Sequence, residues 1–541
     1  MGKFSTAAVS ALLLASKVAA LDPIVTKGSK FFYENGTQFF IKGIAYQEDP
    51  SGLGGENEDG KYIDPLADDA KCKRDVPILS AAGTNTIRVY AIDPKKDHSK
   101  CMTLLQDAGI YVVADLGEPN TSINRDDPHW DVAVWDRYTA VIDELAQYDN
   151  TIGFFAGNEV SNNGSNTDAS AFVKAAVRDT KAYIKSKNYR WMGVGYAAND
   201  DPDIRGPSAH YFNCGPEDEA IDFWGYNIYS WCGESSMQKS GYDKQVEFFS
   251  NYSVPVFLAE YGCNVPDGAE GRLFQDTTAL YSDDMSGVFS GGIVYMYHQE
   301  DNDYGLVKFK GNSKAEVMKN YKVLSSRVNA ATASSTASAN YEPTNSPAAC
   351  PDLGENWQVS ANGLPPTPDQ ELCECMFNSL SCNVKSSVAV KEYGAIFGNI
   401  CGNNPQVCAG ISTNATTGIY GAYSMCNATQ KLGFVMNQYY EAQNKASSAC
   451  NFDGNAERVS SPSAASSCNS KLSAASSVNA VAATATAASA RGTNGGSSNA
   501  DDNASFGLTN RRMEQAFSVG NYAVGLYVVL AAAVGGAMVV L

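Results

Sequence analysis

Basic residues are scarce in this chain: 40 Lys and Arg stand against 59 Asp and Glu over 541 residues, a formal net charge of −19. Nucleic-acid binding needs cations against phosphates, so this deficit argues against it and is compatible with a neutral polysaccharide. A glycine-rich phosphate loop is also missing after the first strand-like run, which makes a dinucleotide-binding fold a poor reading. The tight pair Cys373-Glu374-Cys375 has the wrong spacing for a zinc knuckle. No Lys or Arg follows the terminal apolar run 519–541, so the charge that would hold a spanning helix in place is absent.

What is present at the two ends reads as processing signals. Lys3, the apolar run Ala7 to Leu14 and the small residues Val18-Ala19-Ala20 predict a secretory signal peptide, residues 1–20, cleaved after Ala20. The alternative is a buried N-terminal helix; the run is too short to span a bilayer. Near the other end, Asn503-Ala504-Ser505-Phe506-Gly507 precede a polar spacer with Arg511, Arg512, Glu514 and Gln515, and then the apolar tail. That order predicts exchange for a glycolipid (GPI) anchor, with Asn503, Ser505 and Gly507 as attachment candidates and 506–541 as the removed segment. A retained tail-anchoring helix is the runner-up. The expected location is the outer face of the plasma membrane or the cell wall.

Secretion accounts for the 14 cysteines, an even number in an oxidising compartment. Cys72, Cys101, Cys214, Cys232 and Cys263 are sparse, and Cys350 lies between them and a crowded set. That set comprises Cys373, Cys375, Cys382, Cys401, Cys408, Cys426, Cys450 and Cys468, and its connectivity cannot be read from spacing. Acceptor sequons at Asn35, Asn120, Asn163, Asn251, Asn414, Asn427 and Asn503 fit a glycosylated exterior.

Eight short apolar runs, at 39–46, 85–92, 111–116, 152–159, 191–197, 223–229, 255–261 and 291–298, alternate with amphipathic stretches. The stretch 135–148 sets Tyr138, Ile142 and Leu145 on one helical face, and 169–185 does so with Phe172, Ala176 and Ile184. Eight strands with helical spacers predict an α/β fold, a (β/α)8 barrel over 21–328. Residues 329–349 read as a linker, 350–469 as a small disulfide-rich module, and 470–505 as an extended Ser/Ala-rich stalk unable to bury a core.

Barrel active sites gather at the carboxyl ends of the strands. The residues ending these runs suit a sugar: Tyr46, Gln47, Arg88, Tyr90, Asp115, Asn158, Glu159, Asn227, Tyr229, Glu260, Tyr261, Tyr295 and Tyr297. Glu159 and Glu260 each close an apolar strand, where a carboxylate is costly unless a cleft uses its charge. On the fourth and seventh strands they lie nearly opposite, as glycoside cleavage with retention requires of two carboxyl groups about 5 Å apart. Glu159 is the expected acid/base and Glu260 the expected nucleophile. Asn158 is placed to hold a sugar 2-hydroxyl, and Tyr229 or Tyr297 to donate to Glu260. Arg88 reads equally well as a structural ion-pair partner, and alternation sets one of Tyr295 and Tyr297 against the helix layer.

These residues fall in recognisable motifs. Phe40-Ile41-Lys42-Gly43-Ile44-Ala45-Tyr46-Gln47, Asn85-Thr86-Ile87-Arg88-Val89-Tyr90, Gly157-Asn158-Glu159-Val160, Tyr226-Asn227-Ile228-Tyr229-Ser230-Trp231-Cys232-Gly233 and Ala259-Glu260-Tyr261-Gly262-Cys263 resemble the fungal β-1,3-glucanosyltransferases of glycoside hydrolase family 72. The later module, with Cys373-Glu374-Cys375, Tyr420-Gly421-Ala422-Tyr423-Ser424-Met425-Cys426 and Asn437-Gln438-Tyr439-Tyr440, resembles carbohydrate-binding module family 43. The resemblance implies internal cleavage of a β-1,3-glucan and transfer of the new reducing end to the non-reducing end of another glucan. It implies the roles above for Glu159 and Glu260, and substrate contacts at Gln47, Tyr90, Asp115, Asn158, Tyr229 and Tyr297. It also implies the pairs Cys72–Cys101, Cys232–Cys263 and Cys214–Cys350, and no metal or organic cofactor.

Residues alone do not separate transfer from hydrolysis. An endo-β-1,3-glucanase and a non-catalytic wall-binding protein remain the alternatives, the second disfavoured by the intact carboxylate pair. In the module, Trp357, Tyr420, Tyr423, Tyr439 and Tyr440 read equally as glucan-stacking faces or as packing. A mildly acidic optimum is expected, since one carboxyl must be protonated while the other is ionised.

Overall fold

The computed structural model describes residues 21–50, 61–310, 314–460, 462 and 464–492. The signal-peptide segment, Asn503, the other anchor candidates and the apolar tail lie outside the described residues. Eight parallel strands close into a barrel: Ile41–Ala45, Thr86–Val89, Tyr111–Asp115, Thr151–Asn158, Gly193–Ala198, Phe223–Asn227, Val256–Tyr261 and Phe289–Val294. The expected runs supply all eight, in order. Helices Val132–Leu145 and Ser170–Ser186 bury the predicted faces, Tyr138, Ile142 and Leu145 in one and Phe172, Ala176 and Ile184 in the other. Asp131 caps the first by accepting from the Ala133 and Val134 amides.

The barrel interior is layered. An antiparallel meander, Ile24–Lys27, Lys30–Tyr33 and Gln38–Phe39, precedes the first barrel strand. Its Phe31 ring lies 6.2 Å from Phe223 and 6.1 Å from Phe257. Phe155 meets the Phe223 ring edge-on at 5.3 Å. Above Phe155 lies the Arg88 guanidinium, 4.5 Å from the ring centroid. An apolar plug thus fills the lower barrel and a cation floors the upper end, so charge is confined to the carboxyl ends of the strands.

The cysteine-rich module packs helices Gln370–Asn378, Tyr393–Asn403 and Ala428–Ala442 with three-residue strands Cys382–Val384 and Ala456–Arg458. Its disulfides are Cys373–Cys426, Cys375–Cys468, Cys382–Cys450 and Cys401–Cys408. Cys72–Cys101 and Cys232–Cys263 lie in the barrel, and Cys214–Cys350 joins the regions. Trp357, 2% exposed, packs on Tyr211 at 5.3 Å, and buried Tyr420 meets Phe172 at 6.0 Å. Tyr423 and Tyr440 are buried within the module. Of the five aromatics weighed for stacking on glucan, only Tyr439 keeps partial exposure, and it packs on Phe452 at 5.4 Å. The packing reading therefore holds for the other four: a short chain with little apolar sequence spends its aromatics on its core and its seam. Trp357→Ala is expected to cost about 3–5 kcal/mol, read as a fall in thermal midpoint; an unchanged midpoint would contradict a stabilising seam.

The stalk expectation fails over residues 470–492. Cys468–Gly492 is a helix that buries Ala475 and Ala482. Asn479 Oδ1 accepts from the Ala422 amide at 2.8 Å, and Lys471 reaches Asp369 and Glu371 at 2.7 and 2.8 Å. Alanine has the highest helix propensity, and its small side chain lets a helix lie close to a neighbour without a large apolar stripe. Among the described residues no helix is long and apolar enough to cross a membrane.

Candidate active site

Both carboxylates follow breaks in register. On the seventh strand Phe257 and Ala259 face the interior, while Val256 and Leu258 face the helices. Strict alternation would send Glu260 outward. A register shift between Leu258 and Glu260 turns it inward instead, and Tyr261 takes the outward place, hydrogen-bonded to Thr277. The fourth strand shifts between Phe155 and Asn158 in the same way. Glu159 follows with φ 48°, a left-handed conformation uncommon for a residue with a side chain and concentrated at functional sites. Its amide is held by the Ala197 carbonyl at 2.8 Å.

One hydrogen-bonded network joins the two acids. Arg88, fully buried, donates through Nε and Nη2 to both oxygens of Asp115 at 2.9 Å, and through Nη2 to Asn158 Oδ1 at 3.0 Å. Its Nη1 lies 3.3 Å from Glu260 Oε1. Tyr90 donates to the same oxygen at 2.8 Å and Tyr229 to Oε2 at 2.9 Å. Asn227 Nδ2 donates to Glu159 Oε1 at 2.8 Å and to Asn158 Oδ1 at 3.0 Å. Asn158 Nδ2 makes no hydrogen bond among the described residues, so a substrate hydroxyl can use it.

Burial, first, and the facing Glu159 charge push the Glu260 carboxyl up, to about 7, while Arg88, Tyr90 and Tyr229 pull it down. Burial also raises Tyr90 and Tyr229 well above the ordinary tyrosine range, with the Glu260 charge adding to it, so both hydroxyls stay protonated donors. Asp115 is pushed up by burial and held down by Arg88. The two acids are unequally served: a cation and two hydroxyls face Glu260, one amide faces Glu159. Those three donors favour the ionised form of Glu260 against the burial that opposes it.

The other expected contacts divide. Tyr90, Tyr229 and Asn158 converge on the carboxylates, and Asp115 acts through Arg88. Gln47 does not present a free amide: Oε1 accepts from the Tyr90 and Ala91 amides at 3.1 and 3.2 Å, and Nε2 donates to the Ile63 carbonyl at 2.7 Å. It positions Tyr90. Tyr297 is turned away from the cleft, fully buried, with its hydroxyl on Asp75 at 2.9 Å and its ring 5.3 Å from Tyr46. The eighth strand ends at Val294, and Tyr295 and Met296 both turn inward, so the alternation that would bring Tyr297 to the site is broken. Tyr295 takes that side, edge-on to Tyr90 at 6.4 Å. Sequence reasoning missed Tyr304, which sits in the loop beyond, edge-on to Tyr229 at 5.6 Å and to Tyr295 at 5.5 Å; no strand end marks it. Of the sequons, Asn35, Asn120, Asn251 and Asn427 are exposed, and Asn163 and Asn414 are half-buried.

A closed (β/α)8 barrel with two linked acids at the ends of its fourth and seventh strands, walled by tyrosines, defines a glycoside-processing enzyme. Residues 13–332 match the glucanosyltransferase model of glycoside hydrolase family 72, and residues 380–457 match the X8 domain model. The chain belongs to this glucanosyltransferase family. A 1,3-beta-glucanosyltransferase of Arthroderma benhamiae is 55% identical over 486 residues, 86% of this chain and 88% of the relative. The 1,3-beta-glucanosyltransferase gas1 of Schizosaccharomyces pombe is 45% identical, over 87% of this chain and 85% of the relative. Saccharomyces cerevisiae Gas2p, solved in complex with laminaripentaose, superposes with TM-score 0.73 at 41% identity, covering 81% of this chain and 97% of that one.

Proposed function

We propose that the protein works by double displacement, with Glu260 as nucleophile and Glu159 as acid/base. The chain is a β-1,3-glucanosyltransferase, and β-1,3-glucan is its donor and acceptor. The observation that carries the residue roles is the unequal hydrogen bonding of the two acids. Glu260, ionised, attacks the anomeric carbon of a bound glucan; the glycosidic C–O bond breaks as Glu159 gives its proton to the leaving oxygen. The leaving chain departs and the donor remains as an ester on Glu260. Glu159, now ionised, takes the proton of a hydroxyl at the non-reducing end of an acceptor glucan. The acceptor oxygen bonds the anomeric carbon and the ester opens, giving a longer chain. Asn158, Tyr90 and Tyr229 contact the sugar beside the reacting bond.

The same reading includes a secreted, glycosylated protein held by a GPI anchor at the outer membrane face or in the wall, supported by the signal and tail patterns and the disulfide set. Incubation with a reduced β-1,3-gluco-oligosaccharide, product lengths read by mass spectrometry, tests transfer. Products longer than the substrate support it; only shorter ones favour an endo-glucanase.

The pH dependence follows from the charge on Glu260. Activity falls on the acid side as Glu260 takes up a proton, and burial sets that limb above the ordinary glutamate range. Removing a donor that favours the ionised form raises it further. Tyr229→Phe is expected to move the acid limb of kcat/KM to higher pH and lower the plateau roughly tenfold; an unmoved limb would mean that the hydroxyl does not hold the charge.

A further inference from the structure

Arg272 is a buried cation with no carboxylate in contact among the described residues. It follows the short helix Gly268–Gly271 in the loop beyond the seventh strand, the strand that ends on Glu260. Its side chain is spent on backbone carbonyls. Nη1 donates to Tyr295 at 2.7 Å and Gly262 at 3.3 Å, Nη2 to Gly305 at 3.1 Å and also to Tyr304, and Nε to Ala269 at 3.4 Å. The guanidinium also lies 4.9 Å from the Phe274 ring centroid. Burial lowers its pKa to about 10, against the opposing charge of Asp276, Tyr229, Tyr304 and Asp303; it stays charged at any pH of interest. Burying an arginine this way is costly unless its five donors are all used, and here the guanidinium ties the loop after the seventh strand to the loop after the eighth.

Two of the residues whose carbonyls it grips, Tyr295 and Tyr304, turn their rings to the cleft. Tyr295 backs Tyr90 and Tyr304 backs Tyr229, and Tyr90 and Tyr229 are the two hydroxyl donors to Glu260. The Tyr304 hydroxyl makes no hydrogen bond among the described residues, so the ring and its backbone are what the loop supplies. We propose that Arg272 is a positioning residue for catalysis: by clamping the Tyr295 and Tyr304 backbone it fixes the aromatic backing that aims the Tyr90 and Tyr229 hydroxyls at Glu260. The proposal rests on Glu260 being the nucleophile. Loosening the clamp misaims two donors to an ionised carboxylate, which weakens the charged form and slows attack, while the sugar contacts of Asn158 are untouched.

The test uses the secreted protein carrying Arg272→Lys, Tyr304→Ala or Glu260→Gln, assayed with a long β-1,3-gluco-oligosaccharide across pH, alongside thermal unfolding. Arg272→Lys keeps the charge but loses the planar fork; Tyr304→Ala changes a half-buried loop residue and leaves the clamp in place. Both are expected to lower kcat about 10- to 100-fold with a smaller change in KM, and to move the acid limb to higher pH. A lowered thermal midpoint with kcat reduced only in proportion to folded protein, and the limb unmoved, would reduce Arg272 to a structural strut and overturn the proposal. A wild-type limb in Tyr304→Ala would overturn it even if Arg272→Lys failed to fold. Activity surviving in Glu260→Gln would instead sink the nucleophile assignment on which both depend.

Discussion

Glu260→Gln is expected to lower kcat/KM by about 10⁴-fold or more on glucan donors while the protein folds and unfolds as before. The amide is close to isosteric with the carboxylate, but only one of its two positions is an oxygen: one of the Tyr90 and Tyr229 hydroxyls keeps its acceptor and the other can accept from the amide NH2. What is lost is the charge that attacks the anomeric carbon and the oxygen that holds the donor chain. Arg88 then keeps its bidentate partner Asp115, so its own charge is not left unpaired. Stability measured by thermal unfolding therefore separates two accounts. A catalytic role predicts an inactive protein with an unchanged midpoint; a purely structural role predicts a destabilised protein whose folded fraction is active.

Glu159→Gln has the second largest expected effect and a different signature. Without the acid, cleavage of an ordinary glucan falls by about 10²–10⁴-fold. A glucosyl fluoride donor of the same chain needs no proton on its leaving group, so its first step is expected to run at close to the normal rate. A fluoride donor processed as slowly as the ordinary glucan would contradict the acid role. External azide, small enough to react without a base, should restore turnover with the fluoride donor.

The sequence made the strands and both carboxylates legible for one physical reason. A charged residue closing an apolar run has few explanations other than a site at the strand end, and Glu159 and Glu260 are such residues on opposite sides of the ring. Side-chain direction was less legible. Alternation correctly turns Arg88, Asp115 and Asn227 inward, but the register breaks before Asn158 and Glu260 have no signature in composition. The break after Tyr295 is of the same kind, and it is why Tyr297 was expected in the cleft and is found on Asp75. Gln47 lies at the right strand end, yet its amide is consumed by the Tyr90 and Ala91 backbone, a matter of loop path that spacing does not report. Arg272 and Tyr304 sit in loops whose fold depends on contacts made by the rest of the chain.

The cysteine-rich module shows the other limit. Its aromatics, read from sequence as either sugar platforms or packing, are mostly core and seam because a small domain has little else to bury. Trp357 and Tyr420 therefore join the module to the barrel helices rather than presenting faces to a glucan. The Ser/Ala-rich segment after Cys468 cannot bury a core on its own as an isolated chain. Against the finished module, a helix of small residues finds a surface to pack on.

The measurement that bears most directly on the mechanism is peptide mass spectrometry of Glu159→Gln after incubation with a β-1,3-gluco-oligosaccharyl fluoride. The variant can form the glycosyl ester but lacks the base that speeds its transfer, so the intermediate should accumulate. The account predicts one added oligosaccharide on the peptide that contains Glu260. A label on any other residue, or consumption of the donor with no covalent adduct formed at all, would contradict it.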